Sequence, residues 1–279
     1  MTTNKTPDLR SYDVILINTS AGKDSQAMLD ELVHQADELG IPRTKLVAVH
    51  CDLGRVEWAG TRDLAERQVK HYGLRFEVVS RPQGDLLTQI EGRGMWPSST
   101  ARYCTSDHKR GQVRPLMTRL ADEFRAVHGK DAQIRILNCM GLRAEESPAR
   151  AKKVAFRFDE KASNGRRHVD EYLPIHEWTT EQVWARIKAT GVEHHRAYDL
   201  GMGRLSCVFC IFAPKNALLI AGSHNRPLLS QYVAVEKKIH HTFRKDTTIE
   251  SIEIELNSGK VDLKALVAAA KDDHGCWNM

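Results

Sequence analysis

A fully apolar segment that runs straight into a small polar turn and then an amphipathic helix leaves this chain few ways to fold. Asp13-Val-Ile-Leu-Ile-Asn18 shows no polar alternation, so it reads as a strand covered on both faces. Thr19-Ser-Ala-Gly22 is turn-prone. Met28, Leu32, Val33, Ala36 and Leu39 then share one helical face, which Gly40 and Pro42 end. The alternation continues. Lys45 to Cys51 reads as a second strand, Trp58 to Tyr72 as a helix stopped by Gly73, and Arg75 to Ser80 as a third strand. A helix over roughly Gly111 to Val127 precedes a fourth strand, Ile134 to Cys139. This order predicts an α/β fold, a mostly parallel sheet with helices on both faces. Such sheets bind ligands beyond the carboxyl ends of their strands.

The second half is less regular. Thr179 to Thr190 reads as a helix with a threonine cap, Pro227 to His241 as another, and Asp262 to Lys271 as a last one before the polar tail Asp272 to Met279. Ile252, Ile254 and Leu256 alternate with glutamates, as in a half-exposed strand. No internal repeat, low-complexity tract or clean linker interrupts the chain. The expected organisation is one α/β domain over residues 1–225 and a C-terminal helical extension over residues 226–279.

With 279 residues, the chain can bury enough surface to need no disulfide staples. Its 41% hydrophobic and 28% charged residues exclude a disordered tail, a collagen-like fibre and a membrane bundle. The longest apolar run, Cys207 to Ala213, is far short of the ~20 residues of a membrane span. The polar start MTTNKTPDLRSYD has no signal core, so a cytoplasmic protein without a membrane partner is expected. Its six cysteines then read as thiols or metal ligands. The net charge of +5 is mild, but between Arg143 and Arg167 eight cations face four carboxylates. That stretch is either a solvated loop or a surface for a polyanion.

Ser20-Ala21-Gly22-Lys23-Asp24-Ser25 sits between a buried strand and a helix, where free backbone N–H groups and the helix dipole favour an anion. Gly22 permits close approach of a ligand, the two serines add hydroxyls, and Lys23 adds a cation. Asp24 beside a phosphate suggests a magnesium ion. This is not a Walker loop, since Ile17 stands where that motif requires glycine.

NTSAGKDSQAML resembles the SGGxDS loop of the PP-loop ATP pyrophosphatases and their relatives, the phosphoadenosine phosphosulfate (PAPS) reductases. Four further stretches resemble the same family in order. They are Arg102-Tyr-Cys104-Thr-Ser-Asp-His-Lys109 with Pro115-Leu116, and Gly141-Leu-Arg143-Ala-Glu-Glu-Ser147-Pro-Ala-Arg150. Next come Pro174-Ile175 with Trp178 and Val183-Trp184, and finally Tyr198-x-x-Gly201-x-x-Arg204-x-x-Cys207-x-x-Cys210. The resemblance spans residues 13–213 and implies the Rossmann-type, adenine nucleotide alpha hydrolase-like sheet. It implies an adenine-nucleotide site at Ser20, Ala21, Gly22, Lys23, Asp24 and Ser25, with Asp52 at the end of the second strand. Arg143 and Arg150 are the expected anion contacts, and Lys23, Asp24 and Arg143 the expected catalytic residues. Trp178 and Trp184 read as packing residues, and His194-His195 as surface residues.

Cys207-x-x-Cys210 has metal-clip spacing. In the family the Cys104 segment approaches this clip, which implies a [4Fe-4S] cluster on Cys104, Cys207 and Cys210. Zinc is the alternative, with His108 near in sequence. The tandem cysteine of some relatives is absent, because Tyr103 and Thr105 flank Cys104. Cys139, Cys276 or an exogenous atom is left as fourth ligand, and Arg204 is placed to neutralise the cluster or serve the substrate.

Two enzyme readings follow from the resemblance. In the first the loop binds ATP and magnesium, an acceptor is adenylated with release of pyrophosphate, and the cluster supports sulfur transfer, with a nucleic acid as one acceptor. In the second a sulfonucleotide is reduced through Cys276 and thioredoxin, although Asp273-His-Gly-Cys276-Trp-Asn-Met scrambles the reductase's C-terminal motif. Lys23-Asp24-Ser25 keeps the form of ATP-cleaving relatives and favours the first. A third reading is a nucleotide- or cluster-sensing subunit of a larger assembly. The expected partners are an adenine nucleotide, a nucleic-acid substrate or sulfur-donor protein, and further copies of the chain in a homo-oligomer.

Overall fold

The computed structural model describes residues 6–129 and 131–272. Its helices in chain order are α1 (Lys23–Glu38), α2 (Thr61–His71), α3 (Leu86–Arg93), the short turn α4 (Tyr103–Thr105), α5 (Gly111–His128) and the short α6 (Pro148–Ala151). They continue with α7 (Thr180–Thr190), α8 (Lys215–His224), α9 (Arg226–Ile239), α10 (Ile249–Asn257) and α11 (Leu263–Asp272). The strands are β1 (Val14–Thr19), β2 (Leu46–Asp52), β3 (Arg75–Ser80), β4 (Ile134–Met140), β5 (Phe156–Phe158) and β6 (Arg167–Tyr172).

The chain forms two compact units whose segments interleave. The first takes the chain up to Cys51, Arg62–Val79 and Arg110–His194. The second takes Asp52–Thr61, Ser80–Lys109 and the chain from His195 onward. The division therefore does not fall at residue 225; residues 195–225 go with the C-terminal helices.

In the first unit the strand order is β3-β2-β1-β4-β6-β5. β1 runs parallel to β2 and to β4, β4 runs parallel to β6, and only the short β5 is known to run antiparallel, against β6. The apolar strands face helices on both sides, as their unbroken hydrophobicity requires. Ile15, Ile17, Ala48 and Leu137 pack with Leu29, Leu32 and Val33 of α1 and with Val183 and Ile187 of α7. Val14, Leu16, Val47 and Ile136 pack on the other side with Val113, Leu116 and Leu120 of α5. From β1 the chain passes to β2 and β3 on one side, then returns to β4 on the other. The carboxyl ends of β1 and β4 thus flank the reversal of strand order, where open parallel sheets bind ligands.

Several expectations change. The charged segment from Arg143 to Arg167 is not a loop, since it contains α6, β5 and the start of β6. The Ile252 region is helical: Ile249, Ile252 and Leu256 share a buried face, Ile254 is exposed, and Thr248 caps α10 by accepting from the Ser251 N–H. His195 is buried rather than on the surface; its Nε2 lies 3.1 Å from the Thr61 hydroxyl and its Nδ1 accepts from the Ala197 N–H. Trp178 and Trp184 do pack on the core, as expected.

Gly141, just after β4, lies directly against the backbone of the first turn of α1. A Cβ there would lie 2.8 Å from the Asp24 carbonyl oxygen and 3.0 Å from the Ser25 nitrogen, both in the rigid first turn of α1. Gly141→Ala is expected to destabilise the protein by about 1–3 kcal/mol, measured by urea denaturation, because backbone rather than a flexible side chain must move.

Candidate functional site

The loop after β1 is shaped by its own backbone and hydroxyls. Ala21 takes a left-handed φ of 57°, rare for a non-glycine residue, and its side chain is buried. It stands where the SGGxDS motif has glycine, so the turn is made at some conformational cost. Gly22 caps α1 and the Gln26 N–H bonds its carbonyl. The Ser25 hydroxyl donates to that same carbonyl at 2.9 Å and accepts from the Ser20 N–H at 3.1 Å, which folds Ser20 over the helix start.

Three charges lock together behind this loop. The Lys23 ammonium donates to Asp24 Oδ2 at 3.1 Å, and Arg143 Nε donates to Asp24 Oδ1 at 2.6 Å. Burial alone would raise the Asp24 carboxyl, but Lys23 and Arg143 outweigh it and hold it below the ordinary carboxylate range. Both Asp24 carboxylate oxygens therefore carry a cation. Arg143 is almost fully buried, with a side-chain exposure of 2%. Its remaining donors go to Glu145, the Trp178 carbonyl and the Thr180 hydroxyl. Glu145 also accepts from the Thr180 N–H at 2.7 Å, which joins the start of α7 to the same knot. Arg150 pairs with Glu146, and Ser147 caps α6.

Of the expected site residues, the structure brings Ser20, Ala21, Gly22, Lys23, Asp24, Ser25 and Arg143 together at the carboxyl edge of β1 and β4. Arg150 follows on α6, four residues after its partner Glu146. Asp52 ends β2 and accepts from the Gly54 N–H at 2.8 Å. Gly141, which the sequence offers only as the start of the family-like segment, and Thr180, which it does not single out, also belong to this site. A glycine directly after a buried strand was the available signal for the first; the second had none.

In the second unit Cys104 lies in the short turn α4, and a wide helical turn, Ser106–Arg110, carries the chain on toward α5. Burial raises the Cys207 thiol; the neighbouring Cys210 adds to the rise, and Lys109 opposes it. Burial also raises Cys210, against the Phe212 backbone and Arg204. Cys104 contributes to both shifts, so the three thiols share one electrostatic environment with Lys109 and Arg204. Among the described residues no group of three or more His, Cys, Asp or Glu side chains is arranged as a metal cage. The donor chemistry nonetheless suits a metal: thiols of one type, with cations to offset thiolate charge. His108 is fully buried, and its Nε2 lies 2.8 Å from Gln89 Oε1. The Cys139 thiol is packed in the first unit's core and donates toward the Leu137 carbonyl, and burial raises it. Cys276 lies outside the described residues.

Fold and site define a nucleotide-binding class of α/β protein, with an anion loop at a topological switch point. Residues 14–213 match the model of the phosphoadenosine phosphosulfate reductase domain, and the chain belongs to that family. It is 29% identical over 176 residues to an uncharacterized 37.8 kDa protein of Escherichia phage 186, covering 63% of this chain and 49% of the phage protein, about half its length. It is 27% identical over 205 residues to the adenosine 5'-phosphosulfate reductase of Allochromatium vinosum, covering 72% of this chain and 69% of that enzyme. Among solved structures it is similar to the PAPS reductase of Candida auris, at 15% identity and a TM-score of 0.48, covering 72% and 84% of the two chains. It is also similar to the U34-tRNA thiolase NcsA of Methanococcus maripaludis with its [4Fe-4S] cluster, at 14% identity and a TM-score of 0.45, covering 90% and 74%. No described helix is long and apolar enough to cross a membrane.

Removing the Asp24 carboxylate leaves Arg143 buried without one of its two carboxylate partners. Asp24→Ala is expected to cost about 3–5 kcal/mol at neutral pH in urea denaturation. Because folding depresses the Asp24 pKa, its contribution is complete above the ordinary value of 3.8 and is lost as pH falls through the lower folded-state value. The gap between wild type and variant should therefore narrow only below about pH 4.

Proposed function

We propose that the first unit binds ATP and transfers its adenylyl group to an acceptor with release of pyrophosphate. The observation that carries this reading is the ion chain Lys23–Asp24–Arg143 at the N-terminus of α1. It fixes a nearly buried ammonium beside amide groups that favour anions, an arrangement that gains most from a polyphosphate. The acceptor oxygen would form a bond to the α-phosphorus as the bond to the leaving pyrophosphate breaks. Lys23 and the helix N-terminus would stabilise the charge that grows on the leaving group. Asp24 and Arg143 act as positioning residues, holding Lys23 and the loop in place. Sulfur transfer is the downstream role we assign, with Cys104, Cys207 and Cys210 as the residues that would hold an iron–sulfur cluster. Such a group would supply a site for sulfide or electrons.

A second reading is sulfonucleotide reduction, favoured by the relatives named adenosine 5'-phosphosulfate reductase. There Cys276 would attack the sulfur, release the nucleotide, and leave a cysteine S-sulfonate for a thiol reductant.

The products separate the two. Anaerobically purified protein, given magnesium ATP, sulfide and total RNA as acceptor, is expected to form AMP and pyrophosphate in equal amounts. Lys23→Ala should reduce that rate at least about 100-fold. Formation of ADP and phosphate, or release of AMP and sulfite from adenosine 5'-phosphosulfate with no turnover of ATP, would overturn the assignment.

Iron content tests the thiol assignment independently. Cys207→Ala is expected to lose most of its bound iron by colorimetric assay while keeping the wild-type far-UV circular dichroism. Full iron retention would show that the clip is structural.

A further inference from the structure

We propose that the outer edge of the sheet, formed by β5 and the start of β6, is a docking surface for a single-stranded nucleic acid. The inference does not depend on which nucleotide the loop takes. It rests on an exposed aromatic platform flanked by three exposed lysines that make no ion pair among the described residues and outnumber the two nearby carboxylates, Asp159 and Glu160.

Phe158 is 50% exposed on the strand that ends the sheet. A lone exposed apolar residue is ordinary, but this ring is mounted. It stacks on His168 with centroids 4.8 Å apart and planes 26° from parallel. His168 Nε2 is held at 3.0 Å by Asp170 Oδ2, and that oxygen also accepts from the Tyr12 hydroxyl at 2.7 Å. The lower ring of the platform is thus fixed before any ligand arrives, and a base stacking on it orders little further. Stacking on an aromatic side chain is the sequence-tolerant way to hold an unpaired base, since every base has a π-face.

The charges around the platform favour a polyanion. From Lys152 to Arg167 there are six cations and two carboxylates. Arg157 pairs with Glu171 and Arg166 with Asp122, while Arg167 is buried and donates to the Ala162 and Arg114 carbonyls. Lys152, Lys153 and Lys161 are exposed and have no carboxylate partner among the described residues. Lys152 and Lys153 precede β5, whose Phe156 pairs with Tyr172 near the carboxyl end of β6; Lys161 follows β5 at the opposite end. The cations therefore bracket the aromatic pair along the strand, as a phosphate backbone passing over a stacked base requires. A second copy of the chain fits poorly, because a self-paired edge would set these lysines against themselves. A duplex fits poorly too, because its bases are not free to stack on a side chain.

Fluorescence anisotropy with a labelled oligothymidylate of roughly 20 nucleotides tests this. Wild type is expected to bind, with an affinity that falls as salt rises. Phe158→Ala should weaken binding about tenfold and Phe158→Trp should restore it, whereas a purely structural role would not be rescued by the larger ring. Lys152→Ala with Lys153→Ala should flatten the log–log salt slope by about 1.4. These variants are expected to keep the wild-type melting temperature and ATP affinity, so a failure here is separable from a failure of the loop assignment. No binding of the single strand by wild type at low salt, wild-type affinity in both variants, or tighter binding of the matching duplex would overturn the proposal. A fall in mass on sedimentation for Phe158→Ala would overturn it in favour of an interface between copies.

Discussion

The buried pair between Asp24 and Arg143 is the contact on which the rest of the first unit's ligand edge depends. A nearly buried guanidinium is tolerable only if its donors are met, and here one carboxylate, one carbonyl, one hydroxyl and a second carboxylate meet them. Those partners come from α1, from the turn after β4, and from the start of α7. One side chain thus sets the spacing of the three segments that surround the switch point. Gly141 removes the last obstacle by letting the turn lie against the first turn of α1. Lys23 completes the arrangement, since the carboxylate that anchors Arg143 also fixes the ammonium of the loop.

This geometry explains why an aspartate can stand in a phosphate-type loop. Alone, it would repel an anion. Between Lys23 and Arg143 it is neutralised twice over and serves to aim the lysine. The strain at Ala21 fits the same account: a left-handed residue is held where the strand must turn sharply into the helix, and the hydrogen bonds of Ser25 hold it there.

Much of the fold was legible because β1, β2 and β4 are continuous apolar runs and their helices carry clear stops. β6 was not, because Arg167-His-Val-Asp-Glu-Tyr172 reads as polar. Its buried Arg167 and Asp170 are tolerated only through partners outside the strand: carbonyls at Ala162 and Arg114 for one, Tyr12 for the other. The Ile252 region misled because five residues of alternation fit a strand, while the longer spacing of Ile249, Ile252 and Leu256 fits a helix. At the site, the loop and its lysine were readable from local pattern. The partnership of Arg143 with Asp24, 119 residues apart, was not. Nor was the burial of Cys139, which depends on both neighbouring strands rather than on its own segment.

The central claim is that the loop is built for a polyphosphate, and direct binding tests it most simply. Isothermal titration of anaerobically purified protein with magnesium ATP and, separately, with adenosine 5'-phosphosulfate compares the two nucleotides on one site. The account predicts that ATP binds at least about tenfold more tightly, because the triphosphate presents more charge to Lys23 and the α1 N-terminus. Tighter binding of the sulfonucleotide, with ATP unable to displace it, would contradict the account and make Cys276 the residue to pursue.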